Sequence, residues 1–198
     1  RGGSLGDCEG SVVAAAFGYF NPVIISAAWS LATAKQPARV IGDAHYEVAA
    51  QLGREKLTDM PGLNEFTAAM EKVFNAADPD GLALFAAFKS MPLAEDTPAR
   101  AMQLAASLRE FRGSAHLIAI RAVGLTSKQA HYVKRPNDVK GFGWGEDDAP
   151  VVDDQVRALM VEAEKLTDAL CIPAYSVLNE AERKALVDGT KAFEAALK

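Results

Sequence analysis

The stretch Leu108–Leu125, LREFRGSAHLIAIRAVGL, decides how this chain is read. At about 100° per residue, Ala101, Leu104, Leu108, Phe111, Ala115, Ile118, Ala119 and Ala122 share one face of a helix. Gln103, Ser107, Glu110, Ser114 and Arg121 share the opposite face, which predicts an apolar side turned to the core and a polar side turned to water. Arg112 falls inside the apolar arc, between Leu108 and Ala119, and His116 falls at its edge. A buried guanidinium needs a carboxylate, helix carbonyls or an anionic ligand, because an unpaired charge is costly to take out of water. Gly113 leaves room for a backbone or a ligand beside it. Two readings follow. In one, Arg112 pairs with an internal acid and His116 is a satisfied core-edge histidine; in the other, both point into a pocket, with Arg112 holding an anion and His116 acting as donor, base or ligand.

Outward from this segment, helical signals dominate. Thr97-Pro98 opens the longest helix, with Thr97 as its cap, and Gly124 closes it. Thr126 caps a short helix running through Arg135. On the N-terminal side, Ser11–Phe20 is apolar and Asn21-Pro22 restarts a helix whose Val23, Ile24, Ala27, Ala28 and Leu31 give a broad apolar face. Gln36-Pro37 begins a segment with Val40, Ile41, Ala44, Val48 and Leu52 at helical spacing. Leu63–Asn75 is amphipathic, Asp78–Gly81 is a turn, and Leu82–Met91 is a short apolar helix. On the C-terminal side, Val152, Val156, Leu159, Met160, Ala163, Leu166 and Leu170 form a helical stripe that Pro173 ends. Asn179 and Glu182 form a capping box for a last helix, Glu180–Lys198. No strand pattern of comparable strength appears, so the expectation is an all-α bundle of eight or nine helices. Its expected parts are a helical body over 1–135, a Gly/Asp-rich loop over 136–150, and a C-terminal helical pair over 151–198 packed on the body or on a second subunit.

The totals bound the function. The 198 residues carry a net charge of −5, which argues against broad adhesion to nucleic acid. Two cysteines, Cys8 and Cys171, show no metal or disulfide spacing, and the expected setting is reducing and cytoplasmic. No apolar run is long enough to span a bilayer, and no basic-then-apolar signal segment is present. The chain begins at Arg1 rather than Met, which fits a processed form or one lacking an N-terminal segment.

Other stretches are candidates for a site. Gly18-Tyr19-Phe20-Asn21-Pro22 sets two aromatics at a helix junction, and Gly141-Phe142-Gly143-Trp144-Gly145 sets two more in a loop, as a lid, a docking element or a plain tucked loop. His45 and His131 read as surface or interface histidines; no HxxxH or HExxH spacing supports a metal, and no cofactor signature is present. Lys128, Lys134, Arg135 and Lys140 form a basic cluster that touches phosphates in a DNA-binding reading and is a solvated face otherwise. No serine sits in a nucleophile elbow.

Four short segments resemble the SalK-like family of actinobacterial helix-turn-helix-like proteins. They are Leu108–His116 with Ala122–Leu125, the junction Phe17-Gly-Tyr-Phe-Asn-Pro22, Gly143-Trp144 followed by acids, and Leu166–Ala169 through Glu182, the last being similar to the closing helices of MarR-type winged-helix regulators. The resemblance implies a bundle related to winged-helix proteins, dimerising through its terminal helices. It departs at Phe111, where family members often carry histidine, and after Trp144, where no strand–turn–strand wing is legible.

Taken together, these readings favour a non-catalytic small-molecule-binding or regulatory protein, a homodimer through Val152–Leu170 and Glu180–Lys198, with Arg112, His116, Tyr19, Asn21 and Trp144 at the ligand. One alternative is a secondary-metabolism enzyme with His116 as acid/base and Arg112 as anion clamp. The other is a DNA-binding transcriptional regulator reading DNA with the helix after Thr126.

Overall fold

The computed structural model describes the backbone of all 198 residues and the side chains of all but Glu146. Nine α-helices and three short 3-10 segments account for the described regular structure, and no strand occurs among the described residues. The helices are α1 (Gly10–Phe17), α2 (Pro22–Thr33), α3 (Ala38–Lys56), α4 (Leu63–Ala76), α5 (Ala83–Lys89), α6 (Thr97–Ala122), α7 (Ser127–Lys134), α8 (Asp154–Tyr175) and α9 (Glu180–Ala196). The fold is therefore an all-helical bundle without a β-wing among the described residues. No helix is long and apolar enough to cross a membrane among them.

α6 is the axis of the bundle, with α3, α4, α5, α7 and α8 packed around it. The main core gathers Phe66, Met70, Val73, Phe74 and Phe85 around Leu104, Leu108 and Phe111 of α6. A second core joins Ile120, Leu125 and Ala130 to Val156, Met160 and Ala163 of α8. α9 lies on α4, where Gly189 lets the two backbones close: a Cβ there would stand 2.4 Å from the Phe66 ring.

The expected polar face of α6 is not a solvent face. Gln103, Ser107, Glu110 and Ser114 are all buried, because α3 and the N-terminal segment cover that side. Its polar atoms are met inside the protein, as buried polar groups must be. Tyr46 Oη of α3 lies 3.1 Å from Ser107 Oγ, Ser107 Oγ donates to the Gln103 carbonyl at 2.8 Å, and Ala94 N–H donates to Gln103 Oε1 at 2.7 Å. α3 approaches closely at Gly53, where a Cβ would lie 2.3 Å from the Pro98 carbonyl oxygen. Helical periodicity located one buried face of α6 and missed the one turned to α3, since a helix buried on both sides has no single apolar stripe.

Other faces are also reversed. α3 buries Ala38, Gly42, Tyr46, Ala50 and Gly53 and leaves Val40, Val48 and Leu52 exposed, the small residues being the ones that permit close helix approach. α2 buries Trp29, whose Nε1 donates to the Cys8 carbonyl at 2.7 Å, while Val23, Ile24 and Leu31 are exposed. Ile118, placed on the apolar face of α6, is exposed as well.

The helix ends correct three boundaries. Asp96 rather than Thr97 caps α6, its carboxylate accepting from Ala99 N–H. α1 stops at Phe17 because Gly18 and Tyr19 adopt φ of 56° and 58°. Pro173 sits inside α8, which continues to Tyr175. A proline this close to the end removes one helical hydrogen bond; the buried side chains of Cys171, Ala174 and Leu178 anchor the last turn regardless. The capping boxes of α7 (Thr126 with Gln129) and α9 (Asn179 with Glu182) are both formed.

Candidate functional site

A cavity of about 590 Å³ opens between the α1–α2 junction, the middle of α6, α7 and α8. Its apolar wall includes five aromatic rings, those of Phe17, Tyr19, Phe20, Phe142 and Tyr175. Of the residues expected at a ligand, Arg112, His116 and Tyr19 line it. Asn21 and Trp144 do not; they stand behind the wall and fix it.

The pocket side of α6 carries His116, one turn beyond Arg112. His116 is 8% exposed and its Nδ1 lies 2.7 Å from Thr167 Oγ1 of α8. Thr167 is fully buried and its hydroxyl donates to the Ala163 carbonyl at 2.7 Å. With that hydrogen committed, the hydroxyl oxygen accepts from Nδ1–H, and the ring's remaining lone pair sits on Nε2. Burial holds the His116 pKa below the usual histidine value, Glu164 opposes the shift, and Arg112 and Lys134 reinforce it.

Arg112 is not buried as expected: its side chain is 52% exposed on the cavity rim, and it donates to Glu164 at 2.8 Å. Arg112 lies on the edge of the arc that faces the cavity, while Leu108, Phe111 and Ala115 of the same arc are buried in the core. Lys134 of α7 reaches the other oxygen of Glu164 at 2.7 Å. Burial pushes the Glu164 carboxyl up, but hydrogen bonds from Lys134 and Arg112 outweigh it and hold the group below its ordinary value.

Tyr19 is the one described non-glycine residue at positive φ, 58°. A left-handed conformation costs a non-glycine residue about 1–2 kcal/mol, so it persists only where its surroundings enforce it. Here the 136–150 segment does so: Trp144 Nε1 donates to the Tyr19 carbonyl at 2.6 Å, Asn21 Nδ2 donates to the Gly143 carbonyl at 3.0 Å, and Asn21 N–H donates to the Phe142 carbonyl at 2.9 Å. Asn21 also caps α2 through Val23 N–H. The Tyr19 ring stacks on His116 at 6.5 Å between centroids, and burial pushes its phenol up to about 12.

His131 is the residue that sequence reading placed elsewhere. It lies on α7, 4% exposed, with its ring 4.2 Å from Phe142 and 6.4 Å from Tyr19. It lines the cavity, and its Nε2 is buried without a hydrogen-bond partner. Burial, with Arg135 adding to it, holds its pKa below the usual value. The signal that could have found it is the 15-residue separation from His116 across a helix-turn-helix corner at Val123–Thr126, which folds α7 back towards α6.

The remaining histidine, His45, packs edge-on to Phe88 outside the cavity lining. Among the described residues no three His, Cys, Asp or Glu side chains gather into a metal-ligating group. The basic cluster is dispersed: Lys128 pairs with Asp148 at 3.6 Å and lies over the Trp144 ring, while Lys134 serves Glu164.

A helix-turn-helix family model matches residues 1–146 of the chain. Neither a curated protein nor a solved structure matches it significantly.

Proposed function

The chain belongs to this helix-turn-helix family, and from that premise we propose that it is a regulatory helical protein that binds a small molecule in the cavity beside α6. One observation carries the reading: a cavity of about 590 Å³, within the usual range for small-molecule sites, has an aromatic wall and a buried polar atom, His131 Nε2, that the protein itself leaves unsatisfied. The role in this reading is binding and regulation rather than catalysis. Native mass spectrometry of the purified protein, with thermal melting against a library of small metabolites, tests it. A retained molecule or a compound that raises Tm supports the reading; a bare protein whose Tm no compound moves rejects it.

The expected homodimer belongs to the same proposal. Val161, Ile172, Val177 and Val187 are exposed along the last two helices and their connection, which suits a subunit contact. Sedimentation at micromolar concentration decides between monomer and dimer.

DNA binding through α7 is the second reading, favoured by the family match. Lys128 and Lys134 would have to leave Asp148 and Glu164 to reach phosphates. Duplex binding that weakens steeply with salt supports this reading; binding insensitive to salt counts against it.

A further inference from the structure

The charges around the cavity differ in sign from the chain as a whole. Arg109, Arg112, Lys134 and Arg135 line it from α6 and the end of α7, against only two carboxylates, Glu110 and Glu164. The chain's net charge is −5, so this excess of cations is local. Each carboxylate is already shared: Glu110 accepts from Arg109 at 2.7 Å with Arg1 at 3.3 Å, and Glu164 is bracketed by Arg112 and Lys134. No described acid pairs with Arg135. Next to it in sequence space, one turn back on α7, stands His131 with its unpartnered buried Nε2. Below them lie the rings of Phe20, Phe142 and Tyr19, with Phe20 and Phe142 stacked at 4.3 Å.

Resting on the ligand-binding reading, we propose that the cavity takes an aromatic carboxylate, with the ring on the Tyr19–Phe20–Phe142 wall and the carboxylate at His131 Nε2 and the Arg112–Lys134–Arg135 rim. Each half of such a ligand answers a feature that the protein leaves open. The ring covers aromatic surface that would otherwise face solvent. The carboxylate accepts from the one buried ring nitrogen lacking a partner and balances cations that two glutamates leave in excess. Planar carboxylates also suit guanidinium groups, whose donors form a fixed fork.

Three probes of related shape separate the contributions: phenylacetate, the neutral 2-phenylethanol, and acetate, which lacks the ring. Calorimetric titration of the full chain is expected to show phenylacetate binding at least tenfold more tightly than either of the other two. The variant His131→Phe removes the unsatisfied nitrogen and is expected to melt at or above the wild-type temperature while losing tenfold or more in phenylacetate affinity. Arg135→Gln, on the exposed rim, is expected to lower the affinity without changing Tm, which keeps the test open if His131→Phe fails to fold. Equal binding of phenylacetate and 2-phenylethanol overturns the anion assignment and leaves a ligand site standing. Phenylacetate affinity unchanged in both variants also overturns it, as does the absence of binding by all three probes at millimolar concentration. A protein that retains a non-aromatic or uncharged molecule after purification refutes this proposal and upholds the broader one.

Discussion

His116 Nδ1 lies 2.7 Å from Thr167 Oγ1, a buried hydrogen bond that joins α6 to α8 across 51 residues of sequence. It fixes the imidazole ring at the cavity wall and, because Thr167 donates to Ala163, fixes which nitrogen carries the proton. Thr167→Val keeps the shape and removes the oxygen. Leaving a buried donor unpaired costs about 1–3 kcal/mol, or about 2–4 °C of Tm per kcal/mol for a chain of this size. Thr167→Ser is expected to restore most of the loss. A Thr167→Val protein that melts like wild type would show that the bond contributes nothing net.

Glu164 stands between two cations and near His116. In Glu164→Gln the charge that raises the His116 pKa is gone while Arg112 and Lys134 remain, so the His116 titration midpoint is expected to move further down. The ion pairs are partly exposed, so the stability change is expected to stay within about 1 kcal/mol. Proton NMR of the imidazole resonances reads the midpoint directly, and an unchanged or raised value contradicts the electrostatic account.

Stability is expected to fall on acidification from about pH 7.5. His45, His116 and His131 all have folded pKa values below the histidine reference of 6.5. The unfolded chain therefore binds protons first as pH falls through about 6.5, and stability is lost until the folded pKa values are passed. Carboxylates such as Glu164 and Glu71, held below their ordinary values, act in the same direction but in a lower window beginning near pH 4.5. Denaturant unfolding between pH 7.5 and 5.5 checks this, with His131→Phe expected to flatten part of the slope. Stability that rises over that interval would contradict it.

Trp144 and Tyr19 form a brace. Trp144→Phe removes the Nε1 donor to the Tyr19 carbonyl and is expected to cost about 0.5–1.5 kcal/mol. Hydrogen exchange at Asn21 N–H, which is bonded to the Phe142 carbonyl, is expected to speed up as the 136–150 segment loosens. Unchanged protection there would mean that the other two bonds suffice.

Two glycines on long helices are expected to respond in opposite senses. At Gly113 of α6 a Cβ meets nothing within 4 Å, so Gly113→Ala is expected to stabilise by about 0.5–1 kcal/mol. At Gly53 of α3 a Cβ would strike the Pro98 carbonyl, so Gly53→Ala is expected to destabilise by about 1–3 kcal/mol. Thermal melting of the two proteins separates a packing contact from a helix-propensity effect.

Local chemistry was legible in the sequence. The Thr126 cap, the capping box at Asn179, the Asn21-Pro22 restart and the absence of strand periodicity follow from interactions within four or five residues, and the described fold agrees with each; that Gln129 completes a box with Thr126 came from the structure. The site was only partly legible. Arg112, His116 and Tyr19 come together at one cavity, whereas Asn21 and Trp144 act on Tyr19 from behind. No HxxxH or HExxH spacing marks His131, which by sequence reads as a surface or interface histidine; only the turn at Val123–Thr126 brings it back to His116's side of the bundle.

The sequence by itself determined that the chain is helical and where most helices begin, because hydrogen bonds, caps and left-handed turns are local. Only the tertiary structure decided which face of each helix is inside. α6 has neighbours on both sides, so Ser107 and Glu110 are buried and Arg112 is exposed, against the order their positions around the helix suggest. Burial depends on what packs against a residue from elsewhere in the chain, and no periodicity within one helix contains that information.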